Sequence, residues 1–269
     1  MTMLDDRPMP SLAWVPSGAW LAPGYAEWAP PAPLRGVVAC LWAAVVPAGA
    51  DRVTLVLPDA CSDLIWEQGT DAYVAGPDTG PVRSAAKAGT VIAGARFRPG
   101  AGGPALGLPL SAVLDQRVPL AELLPSAARR LPAAAEPAAA AARLLDVVGG
   151  LVAAAAPPDP AVARAAALLR DPAARTEAVA VDVGLSERQF RRRCQAATGY
   201  GPKTLQRVLR FRRFVRMLDA AAAAAPGLAA AAARAGYADQ AHLTRECSAL
   251  SGLTPAALAR LRGGGVAVQ

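Results

Sequence analysis

The sequence predicts an α+β protein in which a small N-terminal β-barrel precedes an all-helical C-terminal domain. Three observations carry that prediction. Residues 25–110 contain short runs rich in Val, Leu, Ile and Trp, each closing on Gly or Pro, the mark of brief strands separated by turns. Beyond residue 110 the texture changes to Ala- and Leu-rich segments with apolar residues at helical spacing. From residue 184 to 262 one short helical pattern then occurs twice, 53 residues apart.

Residues 1–24 mix Pro, Gly and isolated aromatics, Trp14 and Trp20 among them, and read as an irregular lead-in. Runs at 36–47 and 52–66, followed by DAYVAGPDTGP and TVIAGARFRPG, supply enough short strands for a barrel or sandwich. Residues 1–110 are therefore assigned to one β-rich domain. The segment 111–160 is read as a helical linker. Its first part, SAVLDQRVPLAELLPSAARRL, forms one or two short helices, and Leu144, Leu145, Val148, Leu151 and Val152 share one face of a later helix. That helix either pairs with its twin in a homodimer or packs back on the barrel, and Gly149-Gly150 weakens it. PPDP at 157–160 breaks the chain, and residues 161–262 form the second domain. Within it, Leu205, Val208, Phe211, Val215 and Leu218 make the apolar stripe of a long helix at 203–222, with Arg207, Arg210, Arg213 and Arg216 largely off that stripe. Residues 263–269 are read as a disordered tail.

Composition narrows the function. Residues 1–160 carry 11 Lys+Arg against 14 Asp+Glu, a net of −3, whereas 161–269 carry 17 against 7, a net of +10. A basic half beside a nearly neutral one points to nucleic acid. The single histidine, His242, leaves little for metal ligation or for Ser-His-Asp chemistry. The four cysteines, Cys40, Cys61, Cys194 and Cys247, form no CxxC pair, so no cofactor, metal site or catalytic residue is assigned. The acidic start MTMLDDRPMP lacks a signal peptide's basic region, and the Ala runs at 133–142, 153–156 and 220–225 are short or interrupted. A soluble cytoplasmic protein with no membrane association is expected.

The repeat holds the chemistry. GLSERQFRRRCQAATGYGP and YADQAHLTRECSALSGLTP align so that Ser186 matches Asp239, Phe190 matches Leu243, Arg192 matches Arg245, Cys194 matches Cys247, Gly199 matches Gly252 and Pro202 matches Pro255. Ser186 with Gln189 three residues on is a capping box. Phe190 and Cys194, four apart, turn one helix face inward. Glu187, Arg188, Arg191 and Arg192 are left outward. In the second copy Gln240, Ala241, Thr244 and Arg245 face out. A major groove accepts one α-helix; there Arg suits guanine, Gln suits adenine, and Ala or a Thr methyl suits the thymine methyl. His242 either touches a phosphate or supports the cap.

At these residues the sequence resembles the DNA-binding domain of the AraC-type transcription regulators over roughly 161–262. The residues that carry the resemblance are Gly184-Leu185-Ser186, Arg192, Gly199, Pro202, Arg210, Ala235-Gly236-Tyr237, Asp239, His242-Leu243, Arg245, Gly252 and Pro255. The resemblance implies two helix-turn-helix units joined by a long helix, with base contacts at Arg188, Arg191 and Arg192 and at Gln240, Ala241, Thr244 and Arg245. It also implies double-stranded DNA as partner, a dimer offering four recognition helices, and RNA polymerase if the protein activates. Cys194 and Cys247 stand where the family usually has an aromatic, which removes core volume.

The segments YAEWAPPAPLRGVVACLW, LPDACSDLIW, VAGPDT and GARFRPG resemble the cupin-like sensor domains ahead of some AraC-type units, which implies a small-molecule effector. In an extended strand Asp59, Cys61, Asp63 and Ile65 share one face, with Ser62, Leu64 and Trp66 on the other. Asp59, Cys61, Asp63 and Trp66 are the candidate effector pocket, suited to a cationic or hydroxylated ligand. The competing readings make Asp59 a turn residue and Asp63 a structural partner of Arg96 or Arg98. From another class, the N-terminal half is an Asp/Cys-based enzyme or a methyl-accepting module that carries a DNA-binding domain.

Overall fold

The computed structural model describes residues 24–220 and 227–263. Trp14, Trp20, the Ala run after residue 220 and the tail after 263 lie outside the described residues.

The N-terminal half is an open sheet. Strands β1 (Gly24–Trp28), β2 (Val38–Val45), β3 (Arg52–Val56), β4 (Ser62–Glu67), β5 (Tyr73–Ala75), β6 (Val82–Ala86), β7 (Val91–Phe97) and β8 (Arg117–Pro119) are all antiparallel to their neighbours. Six form one sheet in the order β1-β2-β7-β4-β5-β8, and β3 pairs only with β6 in a separate ribbon. The expected barrel therefore does not close. The residues that leave β3 explain why: Leu57 and Ala60 are buried in the core of the helical domain, with Leu55 packed beside them, so the ribbon is drawn away from the sheet edges. Residues 52–66, an extended run by composition, accordingly split into strands of two different sheets.

The far face of the large sheet is covered by the chain's own helices. These are α1 (Gly102–Leu106), α2 (Leu120–Leu123), α3 (Pro125–Ala128) and α4 (Pro137–Ala154). Leu144, Leu145, Val147 and Val148 of α4 are buried with Leu41, Leu64, Trp66, Val74 and Phe97. Each such side chain contributes about 1.5–3 kcal/mol of apolar burial. Residues 111–155 thus complete the N-terminal core instead of linking two domains, and β8 extends its sheet. Helix α4 is long and apolar enough to cross a membrane by length and composition alone, which the interrupted Ala runs did not suggest. Its Leu face, expected to pair with a twin or with the sheet, is occupied by the sheet.

The C-terminal half follows as α5 (Pro160–Leu168), α6 (Thr176–Asp182), α7 (Glu187–Thr198), α8 (Pro202–Ala220), α9 (Leu228–Ala235), α10 (Gln240–Ser251) and α11 (Pro255–Gly263). Leu205, Val208, Phe211, Phe214 and Val215 bury one side of α8, and both α7 and α10 pack on it. Phe211 and Phe214, both fully buried, sit in the same cluster as Cys194 and Cys247.

The repeat extends further inward than the sequence alignment of caps and glycines suggested. Thr198 and Ser251, again 53 residues apart, donate to the carbonyls of Cys194 (2.8 Å) and Cys247 (2.6 Å). Each also accepts the N–H two residues on, from Tyr200 and Leu253, at 3.2 Å. A buried hydroxyl thereby satisfies the backbone just where each helix ends.

Candidate nucleic-acid interface and adjoining cavity

Helix α7 is launched by a full capping box. The Ser186 hydroxyl accepts the Gln189 N–H at 3.3 Å, and the Gln189 side chain accepts the Ser186 N–H at 3.0 Å. Phe190 and Cys194 are buried against α8, which leaves Glu187, Arg188, Arg191 and Arg192 exposed along one side. Arg193 is turned away from that side, its guanidinium gripping Asp159 through two hydrogen bonds of 2.6 Å. Asp159 also caps α5, and its Arg193 hydrogen bond leads the causes that hold its carboxyl below the usual Asp range.

Helix α10 repeats the arrangement with other side chains. Asp239 accepts the His242 N–H at 2.6 Å, Leu243 and Cys247 are buried, and Gln240, Ala241 and Arg245 are exposed. Thr244 is half-buried, its hydroxyl bonded to the Gln240 carbonyl at 2.9 Å, so its hydrogen-bonding capacity is turned to its own helix. His242 stands with the cap: Nδ1 accepts the Ala238 N–H at 3.4 Å, and the ring meets Tyr237 edge-on at 5.2 Å. Of the α8 arginines, Arg207 pairs with Glu246 of α10 at 3.0 Å, and Arg210 lies 5.6 Å over the Tyr237 ring. These serve the packing of α10 on α8.

A cavity of about 500 Å³ lies between the large sheet and the β3–β6 ribbon. Its wall includes Tyr25, Trp42, Asp59, Cys61, Asp63, Tyr73 and Arg96. Asp59, Cys61 and Asp63 thus meet at one cavity, although only Asp63 lies in a strand; Asp59 and Cys61 form a turn in which the Asp59 carboxylate accepts the Cys61 N–H at 2.8 Å. Both the turn reading of Asp59 and the Arg96 reading of Asp63 describe real contacts. Asp63 accepts the Trp42 indole N–H at 2.7 Å and the Arg96 Nε–H at 3.3 Å. Burial raises its carboxyl pKa, and Arg96 opposes that rise.

Trp66 does not belong to this site. Strand alternation puts it on the opposite face, where it is fully buried in the N-terminal core and donates its indole N–H to the Pro132 carbonyl at 3.0 Å. Trp42, by contrast, lines the cavity. Cys61 is fully buried and its thiol pKa is pushed well above the ordinary range by burial, the reverse of what a nucleophilic thiol needs.

The two domains meet beside this cavity. Arg212 of α8 donates to the Asp59 carbonyl at 3.3 Å and lies 3.8 Å from the Cys61 sulfur. The Tyr200 hydroxyl, just after α7, donates to the Asp78 carbonyl. Asp78 in turn holds Arg117 at 2.8 and 2.7 Å. Sequence reasoning missed Arg212, Tyr25 and Tyr200. Arg212 had a signal: it interrupts the apolar stripe of α8, four residues after Val208 and three before Val215, where a charge needs a buried partner.

The fold thus joins an open-sheet domain to a helical domain that carries two capped, outward-facing helices. Residues 179–260 match the family described as "Helix-turn-helix domain". Residues 26–119 match a domain of unknown function, DUF6597. No curated protein matches the chain. Among solved structures the chain is similar to ToxT from Vibrio cholerae O395, at 9% identity and a TM-score of 0.45, over 83% of this chain and 98% of that one. An apo ToxT variant from Vibrio cholerae strain SCE256 is similar at 11% identity and a TM-score of 0.42, over 81% of this chain and 96% of that one.

Proposed function

We propose that the protein is a sequence-specific transcription regulator that reads double-stranded DNA through α7 and α10, the second helices of two helix-turn-helix units, and answers to a small molecule held in the cavity. The observation that carries this reading is the duplicated capped helix. Each copy is anchored to α8 by two buried side chains and offers a different exposed face. Arg188, Arg191 and Arg192 offer paired donors to guanine or to phosphate. Gln240 suits adenine, Ala241 and the Thr244 methyl suit a thymine methyl, and Arg245 takes guanine or phosphate. Two unlike readers imply an asymmetric site. Action in the cytoplasm, and contact with RNA polymerase in the case of an activator, follow from the same reading.

Selection of bound fragments from random duplex DNA tests it. The expected motif has two half-elements about one helical turn, ~10 bp, apart. Arg191→Ala and Arg245→Ala each relax a different half, at a cost of about 1–3 kcal/mol. Recovery of no motif, or of one indifferent to both substitutions, refutes the reading. The Asp/Cys enzyme reading of the N-terminal half is disfavoured by the raised Cys61 pKa.

A further inference from the structure

We propose that the cavity takes an apolar organic cation, and that the turn at residues 59–61 passes its binding to α8. This rests on the regulator reading above and names the ligand chemistry and the route that reading leaves open.

Asp59 faces both sides of the domain boundary. Its carboxylate lies in the cavity wall, one oxygen accepting the Cys61 N–H at 2.8 Å and the other 3.4 Å from Arg96 Nε. Its carbonyl faces α8 and accepts from Arg212 at 3.3 Å. Between these contacts Ala60 has φ 67°, in the left-handed region that a residue with a Cβ rarely adopts. Such a conformation persists only where its surroundings over-determine it. Here they do: Ala60 is 1% exposed, with its side chain among the buried residues of the helical core. The turn is therefore held from the cavity by Asp59 and from the helical domain by Arg212 and the Ala60 pocket.

The charge around the turn selects the ligand. Arg96 alone faces three carboxylates, those of Glu27, Asp59 and Asp63. Asp63 is already engaged by Trp42 and Arg96, whereas the second carboxylate oxygen of Asp59 meets, among the described residues, only the 3.4 Å approach of Arg96. Of the other guanidinium groups, Arg117 is closed by its two bonds to Asp78, Arg212 is spent on the Asp59 carbonyl and the Cys61 sulfur, and Arg83 of β6 lines the cavity but is exposed. Arg52 lies at the opposite end of β3, four residues from Val56 and about 13 Å away along the strand. Tyr25, Trp42 and Tyr73 present aromatic surface in the same cavity, which favours a cation over a neutral group of equal size. An anionic head at this end would meet more carboxylates than guanidinium groups. A cationic head that engages Asp59 competes with the Cys61 N–H and Arg96, relaxes the strained turn, and so loosens the Arg212 contact on the helix that seats both α7 and α10.

The test uses the full chain with phenyltrimethylammonium, its neutral isostere tert-butylbenzene, and 4-tert-butylbenzoate, followed by tryptophan fluorescence and by hydrogen exchange. The cation should bind saturably and at least about tenfold more tightly than the isostere, with the carboxylate weakest. Saturation should speed exchange at 59–61 and along 205–215. Asp59→Asn should weaken cation binding about tenfold. Arg212→Ala should leave binding intact while α8 already exchanges fast and no longer answers to the cation. Equal binding of cation and isostere, indifference to Asp59→Asn, or unchanged α8 exchange at saturation overturns the proposal. If a DNA motif is recovered while the cation fails, this inference falls and the regulator reading stands. If the cation binds and loosens α8 while no motif is found, the regulator reading falls and the coupling stands.

Discussion

Replacing Gly199 and Gly252 by alanine, one at a time, separates the cost of the helix end from the cost of the domain contact. The two glycines end α7 and α10 at equivalent places in the repeat, with φ of 79° and 70°. In either place a Cβ in the left-handed conformation costs about 1–2 kcal/mol. Their surroundings differ. A Cβ on Gly252 would lie 3.6 Å from Pro81 Cγ, an ordinary contact, whereas one on Gly199 would lie 2.6 Å from Pro77 Cγ and 3.3 Å from both the Leu110 carbonyl and Leu114 Cδ1. A proline ring and a backbone carbonyl cannot swing aside as a side-chain tip can. The extra crowding at Gly199 adds about 1–3 kcal/mol. Gly252→Ala should therefore lose about 1–2 kcal/mol and Gly199→Ala about 2–5 kcal/mol, read by urea unfolding of the full chain at unchanged slope. Equal losses, within about 0.5 kcal/mol, would refute the view that the N-terminal domain seats against the end of α7.

Three further outcomes follow from the same geometry. Thr198→Val and Ser251→Ala leave the Tyr200 and Leu253 N–H groups without the hydroxyls they donate to, and each should cost about 1–3 kcal/mol in thermal or urea unfolding. Tyr200 is the more deeply buried, so Thr198→Val should be the larger. Asp159, with its folded carboxyl below the ordinary range, contributes stability that is present above the unfolded value of about 3.9 and lost as pH falls through the lower folded value. Because the Arg193 pair is partly exposed, Asp159→Asn should remove only about 0.2–1 kcal/mol and flatten the acid limb of the stability curve. The four cysteines are free and buried, with burial pushing Cys194 up to about 11 and Cys40 up to about 12. A disulfide reagent should label none rapidly in the native protein and all four after unfolding; a fast native thiol would contradict the packing.

The helical domain was legible because its signals are local. Ser186 and Gln189 meet three residues apart, Phe190 and Cys194 four apart, and such contacts are set by helix geometry before any tertiary packing. Strands β2, β3, β4, β5 and β7 were legible as extended runs, but β8 falls in a segment read as helical, and the strands' partners were not legible. Nothing in residues 52–66 marks where one sheet ends and the other begins, because that break depends on Leu57 and Ala60 being claimed by a core built from residues 165–258. The cavity residues were half legible: alternation put Asp63 and Ile65 on one face and Trp66 on the other, which already argued against Trp66 as a pocket residue. Tyr25 joined the site through a β1–β2 pairing that its own neighbourhood does not encode.

From the amino-acid sequence alone came the α+β class, the basic C-terminal half and the two unlike capped helices with their outward residues. Each rests on periodicity, capping and charge within a dozen residues, which tertiary contacts seldom reverse. Only the tertiary structure decided that the sheet stays open, that α4 lies on it, and that the cavity wall is also the domain boundary. Those features depend on pairs such as Asp78 with Tyr200 and Asp59 with Arg212, separated by 122 and 153 residues. At such separations which groups meet is set by how whole layers pack, and no local pattern carries that information.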